Sequence, residues 1–156
     1  MLKLSRKTLL ALEAVIDIAF NARPEPVQAR EITARQGVPQ RYLEQVMQQL
    51  VRAGVLKGVR GPKGGYRLAR ERRRISVGDV VRVAESLEDP NAEDNPEPRS
   101  ELGARIVAPL IKSLTDELMA RLDAITIEDL CQQATGAGVD RTSLDGANER
   151  TNDFTI

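Results

Sequence analysis

The feature that most constrains the fold is a change in the spacing of apolar residues near Gly54. Before Gly54, apolar residues recur about every 3.6 positions, the period of an amphipathic helix. After it, residues 55–60 and 65–69 read as two short strands, and the glycines and proline of residues 61–64 predict a turn between them. Helix, glycine-bearing turn, helix and β-hairpin in this order predict a winged helix-turn-helix in a mainly α fold.

Three helices are predicted before this hairpin. The first begins at the capping residue Ser5 and ends near Asn21, and its predicted inward stripe is Leu9, Leu12, Val15, Ile16, Ala19 and Phe20. The second covers about residues 29–36, and Gly37 stops it in a left-handed conformation. Pro39 occupies a favoured first position of the third helix, which carries Tyr42, Leu43, Val46, Met47 and Leu50 at helical spacing.

Two capping-box patterns mark further helices in the second half of the chain. Ser76 and Asp79 open a fourth helix, and Thr126 and Asp129 open a last one. Between these two, residues 101–124 show the apolar period of one long helix.

The remaining segments complete the predicted domain organisation. Residues 87–100 contain prolines and acids with few apolar side chains, which is typical of a linker. Residues 135–156 lack periodicity, which predicts a disordered tail. The prediction is therefore a winged-helix domain at residues 1–86, a linker, a dimerisation segment at residues 101–134 and a tail.

The long helix carries an apolar stripe that is too wide to bury against itself. Its partner is either the rest of this chain or the same helix of a second subunit, and we favour a homodimer. Pro109 either kinks this helix or marks its start. The predicted interface residues are Leu102, Ile106, Leu110, Ile111, Leu114, Leu118 and Leu122.

Residue content excludes several classes of chemistry. The chain has no His and a single Cys, Cys131, so imidazole-based catalysis, imidazole-ligated zinc and an internal disulfide are excluded. No arrangement of acid, base and nucleophile typical of an enzyme is visible. No apolar run approaches the roughly 20 residues that cross a membrane, and no signal peptide is recognisable, so we expect a cytoplasmic protein.

Positive charge is concentrated in the first half of the chain. Residues 1–86 contain 17 Lys and Arg against 8 Asp and Glu, whereas residues 87–156 contain 6 against 15. The whole excess falls within residues 28–74, with 12 against 3. Cations in such a unit neutralise phosphates, which favours double-stranded DNA as a partner. The alternative is that they only solvate helix faces.

Base contacts in a helix-turn-helix come from the start of its second helix. Gln40, Gln45 and Gln48 carry the groups that pair with adenine. Arg41 suits guanine, and Glu44 suits the amino group of cytosine. The alternative for Glu44 is a salt bridge or a place on an exposed face of the helix.

The predicted wing tip adds contacts in the minor groove. Arg60 and Lys63 are the cations that reach this groove. On the third helix, Tyr42 either contacts phosphate through its hydroxyl or packs under the helix. The full set of predicted DNA-binding residues is Lys3, Ser5, Lys7, Gln28, Arg35, Pro39, Gln40, Arg41, Tyr42, Glu44, Gln45, Gln48, Arg60, Gly61, Pro62, Lys63, Gly64, Gly65 and Tyr66.

Residues 43–45, residues 54–56 and above all the segment VRGPKGGYRL at residues 59–68 resemble the Rrf2 family of bacterial winged-helix regulators. The resemblance covers about residues 1–134. It implies a sequence-specific transcriptional regulator, expected to be a repressor, in which the long helix joins a homodimer on a pseudo-palindromic operator. It also implies that Glu44 discriminates bases and that Arg60 is the minor-groove arginine of the wing.

One departure from the family pattern concerns cofactors. Members that bind an iron–sulfur cluster carry three Cys in the segment corresponding to residues 87–105, and a His ligand of some members falls near Ala108; this chain has neither. The resemblance therefore implies no conventional cluster and no cofactor. The sequence is more similar to a cluster-free branch of the family, which responds through a metabolic enzyme partner. A small-molecule effector is a further option.

Other functions remain open from sequence. Cys131 is either a buried small thiol or a candidate redox thiol. An iron or redox sensor could instead use Cys131 or linker carboxylates, although these acids also suit a solvated linker: Glu88, Asp89, Glu93, Asp94 and Glu97. A winged-helix module that binds protein is a third option, which the basic wing disfavours.

Overall fold

The computed structural model describes residues 4–86 and 98–141. In chain order its elements are α1 (Arg6–Phe20), α2 (Ala29–Gln36), α3 (Gln40–Arg52), β1 (Leu56–Val59), β2 (Gly65–Leu68), a 3₁₀ turn (Arg72–Arg74), α4 (Val77–Ser86), a π-helical turn (Gly103–Val107), α5 (Ala108–Ala124) and α6 (Ile127–Gly136). β1 and β2 pair antiparallel, with Leu56 opposite Leu68 and Val59 opposite Gly65. The predicted class, mainly α with a small hairpin, is confirmed.

Helix ends follow the local signals in the sequence. The Ser5 side chain accepts a hydrogen bond from the Thr8 N–H at 3.3 Å and caps α1. Gly37 ends α2 with a φ of 69°, a left-handed conformation that costs glycine little. Thr126 caps α6 by accepting from the Asp129 N–H at 3.1 Å, and the Asp129 carboxylate accepts from the Thr126 N–H at 2.9 Å. These three predicted boundaries are confirmed.

The core is formed where α1, α3, α4 and α6 pack together. The face that α1 turns to it matches the predicted stripe only in part: Val15, Ala19 and Phe20 are buried as predicted, and Leu10, Ala11, Ala14 and Ile18 are buried as well. Leu9 is instead 56% exposed, and Leu12 and Ile16 are only half-buried. α1 is apolar on several sides, and the face with the small side chains Ala11 and Ala14 is the one that lets α4 pack closely.

The last helix, grouped with the long helix in the sequence analysis, packs against α1 inside this core. Ile127 is fully buried and Cys131 is 3% exposed. α6 runs to Gly136, two residues beyond its predicted end, and the chain then turns at Gly138. Arg141 lies 5.6 Å from the centre of the Phe20 ring. Residues 142–156 of the predicted tail, and residues 87–97 of the predicted linker, lie outside the described residues.

Pro109 interrupts the predicted long helix in a specific way. Proline has no N–H, and its ring clashes with the carbonyl four residues earlier in a regular α-helix. Here the preceding residues 103–107 widen into a π-helical turn, in which the Ala108 N–H bonds to the Gly103 carbonyl, and Pro109 then lies in the first turn of α5.

α5 has no buried residue in the described structure. Its predicted interface residues remain open, from 74% exposure at Leu102 to 38% at Leu118, and only Leu122 is half-buried. The described parts of this chain therefore leave the apolar stripe uncovered. No helix within these parts combines the length and apolarity needed to cross a bilayer.

Candidate nucleic-acid interface

The first helix of the helix-turn-helix is held in place by two bidentate ion pairs. Arg35 at the end of α2 donates to both carboxylate oxygens of Asp17 on α1, at 2.7 and 2.6 Å. At the other end of α2, Arg23 Nη2 lies 2.8 Å from both oxygens of Glu31. Glu31 also accepts from the Gln28 N–H at 2.7 Å, which caps the helix. α2 is thus fixed to α1 and to the loop that precedes it.

α3 has one buried side and one polar side. Leu43, Val46, Met47 and Leu50 are buried in the core. The polar side presents the exposed residues Gln40, Arg41, Gln45 and Gln48, together with half-buried Glu44. This division follows from the helical spacing of the apolar residues, and it turns the predicted base-reading side chains toward solvent.

Two predicted residues on α3 have defined partners within the chain. Gln40 Nε2 donates to Glu44 Oε1 at 3.0 Å, one turn further along the helix. Tyr42 packs against the core as a half-buried residue, so the packing alternative describes its ring. Pro39 precedes the first turn as the N-cap, one position earlier than predicted.

The wing is fastened to the loop before α2 by a β-bridge. The Tyr66 N–H donates to the Val27 carbonyl at 2.8 Å, and the Val27 N–H donates to the Tyr66 carbonyl at 3.0 Å. A Cβ at Gly65 would lie 2.4 Å from the Val27 oxygen, so only glycine allows this approach. Gly61, with a φ of 113°, lets the wing turn and leaves Arg60 and Lys63 exposed at its tip.

The wing and α3 are close enough to interact electrostatically. Burial raises the pKa of the Tyr66 hydroxyl, and the negative charge of Glu44 raises it further. An open cleft between the wing and the helices is lined by Ala29, Val51, Val59, Arg60, Gly65 and Tyr66, among others. Glu44 on the polar side of α3 therefore lies near Tyr66 of the glycine-rich wing.

Several other predicted DNA-binding residues have structural roles. Ser5 caps α1, and the Gln28 N–H is taken up by Glu31. Arg35 points to Asp17 on α1, and Lys7 is half-buried on that helix. Lys3 lies outside the described residues. Ser5 and Arg35 thus bond within the scaffold through their side chains, and Gln28 does so through its backbone N–H.

Sequence reasoning missed one residue that supports the wing. The Arg67 guanidinium donates to the Pro24 carbonyl and ties β2 to the loop before α2. The signal available in the sequence was the outward position of Arg67 in the second predicted strand. Its partner is the backbone carbonyl of Pro24, 43 positions earlier, which no side-chain pattern reveals.

A polar helix beside a basic, glycine-rich wing on a helical core defines a winged helix-turn-helix transcription regulator. The sequence model of the Rrf2 family, described as an iron-dependent transcriptional regulator, matches residues 4–133. The chain belongs to this family of DNA-binding regulators, and the predicted resemblance is confirmed.

Relatives of known identity agree with this assignment. The transcriptional regulator IscR of Aliivibrio salmonicida is 33% identical over 148 residues, which cover 94% of this chain and 88% of that protein. IscR of Vibrio atlanticus is 40% identical over 88 residues, and the matched part of the chain spans about half of its length.

Solved structures give the same fold. T. potens IscR has a TM-score of 0.71 and 34% identity, covering 90% of this chain and 94% of that one. CymR, the global cysteine regulator of B. subtilis, has a TM-score of 0.65 and 32% identity, covering 85% and 98%. The winged-helix prediction is confirmed by these similarities.

The family description invokes iron, but the residues present do not fit a Cys-ligated centre. Cys131 is the only thiol of the chain, and it is buried among α1 and α6. Burial raises its pKa, an effect that Arg72 partly opposes, and this disfavours the thiolate that a metal requires. Within residues 4–86 and 98–141, no three Cys, Asp or Glu side chains converge as metal ligands. The linker acids at residues 88–97 lie outside these ranges.

Proposed function

We propose that this chain is a homodimeric repressor that binds a pseudo-palindromic DNA operator without a Cys-ligated iron–sulfur cluster. The observation that carries this proposal is that the polar side of α3 and the wing tip are both exposed, with Tyr66 of the wing near Glu44 of α3. The excess of basic over acidic residues in residues 28–74, which include α3 and the wing, supplies the attraction to phosphate.

α3 is the proposed reading helix in the major groove. Its exposed Gln40, Arg41, Gln45 and Gln48 carry the groups that pair with base edges. Glu44 is the proposed discriminating residue, because its carboxylate accepts from a cytosine amino group and repels the acceptors of other bases. The hydrogen bond from Gln40 orients that carboxylate before DNA arrives.

Arg60 is the proposed minor-groove contact. It precedes the left-handed Gly61 at the exposed end of the wing, and a narrow minor groove attracts arginine through its negative potential. The bridge between Val27 and Tyr66 supports this role, because it ties the wing to the loop before α2.

A second copy of the chain is the proposed partner of α5. The apolar residues exposed along this helix form a strip that soluble monomers rarely leave uncovered. A two-fold dimer through this strip would present two reading helices, and this matches an operator made of two inverted half-sites. A metabolic enzyme or a small molecule remains the proposed source of the signal.

Selection from random DNA duplexes tests the proposal. Wild-type protein is expected to return an inverted repeat and to show a dimeric mass by light scattering. Arg60→Ala should weaken binding by about 10-fold or more and reduce the salt dependence by about one phosphate contact, whereas Lys112→Ala, an exposed cation on α5, should change little. Failure to enrich any sequence, with folded dimer present, would contradict the function.

Two further measurements separate the parts of the proposal. Glu44→Ala should broaden the selected consensus more than it lowers affinity, and an unchanged consensus would remove Glu44 from base reading. Protein purified without oxygen is expected to be colourless and free of stoichiometric iron and sulfide while still binding DNA. Charge-transfer absorbance with stoichiometric iron would instead show a cluster held by unconventional ligands.

A further inference from the structure

The end of α5 is joined to the start of α4 at an unusually close contact. Gly78 on α4 is buried, and a Cβ at this position would lie 1.9 Å from the Asp123 Oδ1 atom and 3.1 Å from its backbone nitrogen. The glycine therefore lets the last turn of α5 rest directly on the first turn of α4.

The same aspartate is held by an arginine one turn further along α4. Arg82 Nη1 donates to Asp123 Oδ1 at 2.8 Å, and Arg82 Nη2 donates to Oδ2 at 2.6 Å. The two parallel hydrogen bonds fix an orientation as well as a distance, which a single contact would not do. Gly78, Arg82 and Asp123 together are called the α4–α5 joint below.

Two backbone hydrogen bonds also connect the start of α4 with the chain that follows α5. The Val77 N–H donates to the Ile125 carbonyl at 2.8 Å, and the Ile127 N–H donates to the Ile75 carbonyl at 2.9 Å. Ile75 and Ile127 are both fully buried in the core shared with α3. α5 thus leaves the winged-helix core at an angle that these contacts define.

A small change at this joint has a large effect at the far end. The proposed dimer contact around Leu110 is 13 residues from Asp123, or about 20 Å along a helix. A rotation of about 10° would move it by roughly 3.5 Å, close to the 3.4 Å rise of one base pair. In the proposed dimer, the angle between α5 and α4 would therefore set the distance between the two α3 reading helices.

We propose that the α4–α5 joint determines which spacing between DNA half-sites the dimer accepts. Gly78, Arg82 and Asp123 act as positioning residues for specificity without touching DNA. This inference rests on the proposed homodimer and its two-part operator. It applies to spacing alone, because the joint is separate from the base-reading residues of α3.

The test uses duplexes selected by the wild-type protein, with the centre shortened or lengthened by one base pair. Wild type is expected to lose about 10-fold or more in affinity at either altered spacing. Asp123→Ala and Arg82→Ala should bind the selected duplex within a few-fold of wild type but discriminate less than about 3-fold between spacings. Gly78→Ala should shift the preferred spacing, because its Cβ displaces Asp123. Lys112→Ala removes an exposed ion pair within α5, with Asp116, and should discriminate like wild type.

The outcomes separate this inference from the proposed function. If wild type forms no dimer or binds no two-part duplex, both fail. If wild type discriminates between spacings and folded Asp123→Ala and Arg82→Ala discriminate equally, only the joint inference is overturned. A uniform loss of affinity at all spacings in these variants would also overturn it, since that pattern indicates a structural role alone.

Discussion

Arg35 and Asp17 form a bidentate pair between α2 and α1, with Nε–Oδ2 and Nη2–Oδ1 distances of 2.7 and 2.6 Å. The hydrogen bonds to Asp17 raise the pKa of the Arg35 guanidinium, against the opposing effect of burial. Arg35 is therefore better placed to hold the helix-turn-helix to its scaffold than to contact DNA.

This role predicts a loss of stability in preference to a loss of binding. Arg35→Ala should lower the free energy of unfolding by about 1–3 kcal/mol, because it leaves the Asp17 charge, with a side chain only 10% exposed, without its ion-pair partner. Affinity of the folded protein for DNA should change less than about 3-fold. Urea unfolding and a DNA titration measure both. Arg30→Ala, on the exposed side of α2, is the matched control, and unchanged stability with a large loss of affinity would instead assign Arg35 to the DNA surface.

Glu31 predicts how stability depends on acid. Burial acts to raise its pKa, but hydrogen bonds from the Gln28 N–H and Arg23 bring it below the ordinary value of 4.5. A carboxyl with a lowered pKa stabilises the fold above pH 4.5, and this stabilisation is lost as the pH falls below that value.

Glu31→Gln should therefore reduce the free energy of unfolding by about 0.5–1.5 kcal/mol at neutral pH. The difference from wild type should shrink as the pH falls toward about 3. Urea unfolding across this range gives the result, with Glu25→Gln, exposed on the loop before α2, as the control. Parallel stability curves for wild type and Glu31→Gln at all pH values would contradict the prediction.

Two glycines in the hairpin predict opposite results for the same substitution. Gly65→Ala places a methyl group 2.4 Å from the Val27 carbonyl oxygen, so it should separate the wing from the helices and weaken DNA binding by about 10-fold or more. Gly58→Ala meets no atom within 4 Å and should bind normally. Helical circular dichroism should be unchanged in both. Equal binding by the two variants would show that the wing position does not matter.

α5 provides a similar matched pair. Leu114, 52% exposed, lies in the apolar row, whereas its neighbour Ser113 lies on the polar side with Lys112 and Asp116. Leu114→Glu buries a charge in the proposed dimer and should shift the protein to monomer, while Ser113→Glu should remain dimeric. Light scattering over a concentration series distinguishes them. A Leu114→Glu protein with the wild-type dimeric mass would place the interface elsewhere.

Local signals predicted the elements well because their causes lie close together in sequence. Ser5 and Thr126 cap helices through residues three positions away, and Gly37 needs only its own backbone freedom. The buried face of α1 was harder to predict, since Leu9 and Leu10 are equally apolar. Only the packing of the other elements against α1, α4 and α6 foremost, decides between them.

The interactions that position the site could not be predicted from the sequence, because the residues that form them lie far apart along the chain. Arg35 resembles any other cation of the basic segment until its partner 18 residues earlier is placed beside it. Gly78 and Asp123 meet across two helices separated by 45 positions, and neither residue type signals the other. The predicted contacts on α3 and the wing tip are short-range features, and most of these side chains are exposed in the structure.

In the proposed dimer, the π-helical turn before Pro109 would affect how two copies of α5 meet. Apolar residues every four positions, from Leu102 through Leu110 to Leu118, form an i±4 ridge, and two such ridges interlock when helix axes cross at about 50°. A regular α-helix would rotate the first members of this ridge away from the rest, and the wider turn at residues 103–107 counteracts that drift. The two α5 helices of the proposed dimer would then cross near Leu110. The α3 reading helix of each subunit would lie away from the two-fold axis.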